Sequence, residues 1–92
     1  MDVTVDRVMA ELRVARREIA EVEATADSPD GLVTATVNGG GELVELDLDP
    51  RIYREHDTRA LAARIRAAVG EAHALAGRRV TAVYERLGRR EG

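Results

Sequence analysis

The sequence predicts an α+β fold: an N-terminal helix, a small antiparallel sheet of about three strands, and a long C-terminal helix. Three observations predict it. Residues 4–24 carry apolar side chains at alternating spacings of three and four. Residues 32–49 alternate apolar with polar about an Asn-Gly turn. Residues 58–87 return to helical spacing. No sequential strand–helix–strand unit is present, so the sheet needs no parallel crossover.

In "TVDRVMAELRVARREIAEVEA" the apolar positions are Val5, Val8, Leu12, Ala15, Ile19 and Val22. They form a heptad seam, which predicts a helix lying lengthwise on another helix. Thr4 or Asp2 supplies the cap, and Asp6 favours the positive end of the helix dipole. The following "ATADS" reads equally as a last helical turn or a short edge strand. Pro29-Asp30-Gly31 is turn chemistry, with proline fixing φ and glycine accepting positive φ. "LVTATVN" then sets Val33, Ala35 and Val37 on one face and Thr34 and Thr36 on the other. Asn38-Gly39, lengthened by Gly40 and Gly41, is a hairpin signal. "ELVELDLD" sets Val44, Leu46 and Leu48 opposite Glu45, Asp47 and Asp49, so each strand should have one dry and one wet face. Pro50 ends it. The last helix starts at the cap pair Asp57-Thr58 and runs to about Leu87, with a stripe of Leu61, Ile65, Val69, Ala72, Ala76, Val80, Val83 and Leu87. Gly70 and Gly77 mark either close helix contact or a bend, and "RREG" reads as frayed.

Ninety-two residues make one domain, 1–92, with a marginal core. Much of the 45 % apolar content is alanine, and Tyr53 and Tyr84 are the only aromatic residues. At roughly 25 cal/mol per Å² of apolar surface buried, such a core leaves little surplus over chain entropy, and association is the simplest remedy. With no cysteine there is neither a disulfide framework nor a cysteine metal site. His56 and His73 lack metal-ligand spacing and read as surface histidines, so no metal and no cofactor is expected. No run approaches a membrane span and no signal segment is visible, which predicts no membrane contact and a cytoplasmic location.

The net charge of −3 conceals a division. Residues 1–58 hold 6 Arg against 14 Asp and Glu, whereas residues 59–92 hold 8 Arg against 3 Glu. The C-terminal segment is therefore suited to face an anion. Every cation is arginine, whose fork-shaped donors suit phosphate.

The order of elements, with Gly31-Leu32-Val33, Asn38-Gly39 and Leu48-Asp49-Pro50 at fixed places, resembles the YbaB/EbfC family of bacterial nucleoid-associated proteins. The resemblance covers about residues 5–76 and leaves residues 77–92 as a C-terminal helical extension and tail. It tips "ATADS" towards strand. It implies a homodimer joined through its sheets, with helices projecting like the arms of a tweezer, double-stranded DNA held by the arms, and no enzymatic activity. Fused sheets would place Val33, Ala35, Val37, Val44, Leu46 and Leu48 at the dimer interface.

The candidate DNA-binding residues are Arg78, Arg79, Arg86, Arg89 and Arg90 near the C-terminus and Arg13, Arg16 and Arg17 on the first helix. Arg79, Arg86 and Arg90 lie at i, i+7 and i+11 along one helix side. The competing reading is a solvated face, with Arg7–Glu11 and Arg17–Glu21 as i,i+4 pairs. No recognition helix, zinc finger or basic zipper is present, and two tyrosines make no stacking platform, so the expected target is duplex backbone read with little sequence preference. Glu45, Asp47 and Asp49 come without a nucleophile or base and read as a wet strand face that repels DNA. Gly39–Gly41 is hairpin geometry, because no Lys-Ser/Thr and no helix follow it directly. The rival is an adaptor or secretion-accessory module whose helices dock a partner protein; some actinobacterial members of the family appear in that role.

Overall fold

The predicted elements appear in the predicted order in the computed structural model, which describes residues 3–54 and 56–91 and only the backbone of residues 3, 90 and 91. Helix α1 (Val3–Ala20) is followed by strands β1 (Glu23–Asp27), β2 (Val33–Asn38) and β3 (Leu43–Leu48). A 3-10 turn (Pro50–Arg54) then leads to helix α2 (Thr58–Glu91).

The first helix stops earlier than its seam does. Val22 lies outside α1, and its carbonyl accepts a hydrogen bond from the Gly39 amide at 3.0 Å, which draws the chain into the sheet. "ATAD" is therefore strand, and the Thr25 and Thr36 hydroxyls are hydrogen-bonded across it at 2.8 Å. Thr4 sits inside α1 rather than at its cap, and Asp2 lies outside the described residues. At the other end, α2 runs past Leu87 to Glu91, so Arg89-Arg90 belongs to the helix rather than to a frayed tail. Its start is as expected: Asp57 Oδ1 accepts from the amides of Arg59 at 2.9 Å and Ala60 at 3.3 Å.

The sheet is antiparallel, in the order β1-β2-β3. Ala24 of β1 and Val33, Ala35 and Val37 of β2 form its dry face, and α2 lays Ala68, Ala72 and Ala76 on them. Small side chains on both layers let helix and strands approach closely. Ile52, swung in by the 3-10 turn, closes one end of this core. Asp49 Oδ1 accepts from the Arg51 amide at 2.8 Å and so caps that turn, a use of Asp-Pro that strand alternation does not reveal.

Strand β3 departs from expectation twice. Its pairing with β2 shifts between Thr36 and Val37, so that Leu43 rather than Val44 stands opposite Val37. One extra residue in the strand produces this bulge. Nor does β3 have a dry face, because all six residues are exposed. The reason is position: α2 packs along β1 and β2 and leaves the third strand uncovered.

Past the sheet, α2 continues alongside α1, which runs antiparallel to it, with Ala15 and Val83 buried in their contact. The molecule measures 64 × 19 × 15 Å, with a radius of gyration of 18.2 Å. A compact chain of this length would have a radius of about 12 Å. It is a flat head bearing a two-helix arm. Gly39 joins the two parts: a Cβ there would stand 2.1 Å from the Ile19 carbonyl oxygen at the end of α1. Gly70 and Gly77 lie within one continuous helix, and among the described residues nothing outside their own stretch of helix comes within 4 Å of a Cβ there, so neither marks a close contact with another described segment.

Candidate nucleic-acid interface

The arm sorts the candidate arginines into two groups. Arg79 and Arg86 share the helix side that faces α1. Arg79 Nη1 donates to the Glu23 carbonyl and Arg86 Nη2 donates to Glu18 Oε2, each at 2.5 Å. They line the cleft between the helices together with Val83. Arg78 and Arg89 repeat at eleven residues on a different flank of α2 and carry no hydrogen bond or ion pair among the described residues. Arg13, Arg16 and Arg17 are likewise exposed and unpaired there, and the Arg7–Glu11 and Arg17–Glu21 pairs are not formed. The side chain of Arg90 lies outside the described residues. The sequence shows the i, i+7, i+11 row but not the direction in which it faces.

The sheet layer carries the opposite charge. Residues 21–50 hold eight carboxylates and no cation, a sharper division than a cut at residue 58 shows. On the face away from α2, Glu23, Asp27, Glu45 and Asp47 stand among Thr25, Thr34 and Thr36. Two other carboxylates are spent on structure. Asp30 accepts from Ser28 Oγ at 2.7 Å, the Leu32 amide at 3.1 Å and Arg64 Nε at 2.5 Å. Those bonds, that of Ser28 foremost, hold its pKa at about 2. The Arg51 guanidinium and amide hold Asp49 below the ordinary carboxylate range, and Asp49 raises Arg51 in return.

The six residues expected at a dimer interface divide in the same manner. Val33, Ala35 and Val37 are 0–1 % exposed beneath the chain's own α2 and have no surface left to offer. Val44, Leu46 and Leu48 are 50 %, 37 % and 37 % exposed. Leu43, which strict alternation puts on the wrong side, joins them at 46 % because of the bulge. In the antiparallel ladder hydrogen-bonded pairs alternate; the Asp49 amide donates to the Leu32 carbonyl at 2.8 Å, so Asp47 and Glu45 bond to β2 and the backbone groups of Leu46 and Leu48 turn outward. An open edge and an open apolar face thus coincide. His56 and His73 are exposed, and no group of three or more side chains suited to a metal ion gathers among the described residues. No helix there is long and apolar enough to cross a membrane.

A helix, a three-stranded antiparallel sheet and a long helix, drawn out into a head and a basic arm, define an elongated α+β protein. The chain belongs to the YbaB/EbfC DNA-binding family, whose pattern matches residues 3–89 and so takes in much of the C-terminal extension. It is 42 % identical over 55 residues to a nucleoid-associated protein of Rhodococcus opacus, covering 60 % of this chain and 49 % of that one. It is 37 % identical over 67 residues to one of Saccharopolyspora erythraea, covering 73 % and 58 %. The chain thus spans about half the length of such relatives. The crystal structure of an uncharacterized protein from Helicobacter pylori matches 95 % of this chain and 97 % of its own, with a TM-score of 0.74 and 21 % identity, which speaks for the fold alone.

Proposed function

We propose that the protein binds duplex DNA as a homodimer, at the nucleoid, chiefly through phosphate contacts and with little sequence preference. The observation that carries this reading is the separation of charge. Arg13, Arg16, Arg17, Arg78 and Arg89 stand unpaired on the arm among the described residues, while the sheet layer holds only carboxylates. A polyanion is drawn to the arm and turned away from the head. The exposed apolar edge of β3 supports pairing of two heads, which would present two arms to one duplex. The family's DNA-binding character supports the ligand.

Titration of random-sequence duplex across a salt series tests it. Log K should fall linearly with log salt. Replacing Arg13, Arg16 and Arg17 together by glutamine should make the fall shallower by about 0.9 for each phosphate these residues neutralise. Absence of binding at low salt would overturn the reading. One observation favours a second reading, a partner protein on the arm: Val5 and Met9 of α1 are about half exposed, an apolar surface for which a polyanion has no use. Capture of a defined partner by the wild-type arm, abolished by Met9→Glu, would support it.

A further inference from the structure

We propose that Glu18 removes Arg86 from the cationic charge that the arm offers to a polyanion. This rests on the arm being the surface that meets one.

Among the arginines with described side chains on the arm, Arg86 is the one held by a carboxylate, with Glu18 Oε2 accepting from Nη2. Both residues line the same cleft between α1 and α2, so the contact joins the two helices rather than neighbouring turns of one. Arg79 is also engaged, but by a backbone carbonyl that carries no net charge.

The gain in binding a polyanion comes from counterions released when protein cations take their place at the phosphates, so a cation already neutralised by a neighbouring carboxylate adds little. Moving Arg86 from Glu18 to a phosphate leaves a bare carboxylate beside the polymer. That carboxylate must recruit a cation back, and the release is cancelled. Arg13, Arg16, Arg17, Arg78 and Arg89 have no such acid to abandon among the described residues. Glu18 therefore sets how many phosphates the arm neutralises, and removing its charge should add one.

The test measures duplex affinity against salt for the wild type, Arg86→Gln, Arg89→Gln, Glu18→Gln and the Glu18→Gln, Arg86→Gln double variant. Arg86→Gln should leave the slope of log K on log salt unchanged, whereas Arg89→Gln should make it shallower by about 0.9. Glu18→Gln should steepen it by about 0.9, and the double variant should return to the wild-type slope. The proposal is overturned if Arg86→Gln lowers the slope as much as Arg89→Gln does, a comparison that leaves Glu18 untouched. It is equally overturned if the steepening persists when Arg86 is also replaced. Elution from immobilised heparin separates this inference from the duplex reading. If the wild type is retained by heparin yet ignores duplex, the DNA reading falls. Later elution of Glu18→Gln, earlier elution of Arg89→Gln and unchanged elution of Arg86→Gln would still support the role of Glu18, and any other order would refute it. Retention on neither polymer refutes both.

Discussion

Asp30 fastens a turn to a helix with one carboxylate, reaching Ser28, the Leu32 amide and Arg64, which is 34 positions away. Its folded pKa of about 2 lies below the ordinary 3.8, so the contribution of Asp30 to stability is complete above about pH 4 and is lost as pH falls towards 2. Urea midpoints measured from pH 5 to pH 2 should therefore fall more steeply for the wild type than for Asp30→Asn. A second residue-scale prediction concerns Gly39. Alanine there meets a backbone oxygen at 2.1 Å, which cannot rotate away as a side chain would, and the hairpin must shift from the end of α1. A destabilisation of roughly 1–3 kcal/mol follows, read as a lowered denaturation midpoint, whereas Gly40→Ala, next along the same turn, should cost less. The sequence displays Pro-Asp-Gly and Asn-Gly as turns, because turn chemistry is local. It cannot display Arg64 or the Ile19 carbonyl, which reach these turns only through the packing of distant segments.

The strands are legible as alternation, and the two helices as stripes. What alternation does not say is which neighbour each face will meet. Val33, Ala35 and Val37 do share one face, and what buries it is the chain's own α2. Val33→Ala should cost about 2–3 kcal/mol, measured by denaturant unfolding, because it opens a void in a core built largely of alanine. On β3 the apolar pair Leu43-Val44 hides the bulge, since either parity looks satisfactory when both residues are hydrophobic. The open strand carries its own prediction. The double change Leu46→Lys, Leu48→Lys should leave helix content nearly unaltered, because neither side chain is in the chain's own core, while lowering the thermal midpoint by the share of stability that pairing supplies. If two heads pair through β3 as proposed, the wild type should sediment as a dimer and this variant as a single subunit. Loss of fold together with association would instead show that β3 serves the monomer.

Taken whole, the molecule is a rod with acid at its sheet and, on its arm, five arginines without a partner among the described residues, and the net charge of −3 describes neither part. The division at residue 58 is visible from counting, but the arm also draws on α1, whose cations the count places in the acidic portion. Antiparallel packing of segments far apart in sequence brings Arg13, Arg16 and Arg17 alongside the C-terminal set. The two sides of the sheet are finished differently. Carboxylates line both borders, Glu23 and Asp27 on β1 and Glu45 and Asp47 on β3, but the outer carbonyl of Glu23 is already occupied by Arg79, whereas the Leu46 border carries no such bond among the described residues. A lamina that can be extended on one side only closes on itself after a single addition, so these chains should stop at pairs and not lengthen into ribbons. Arg79→Ala should reopen the sealed side, and light scattering on concentrated samples would register the growth.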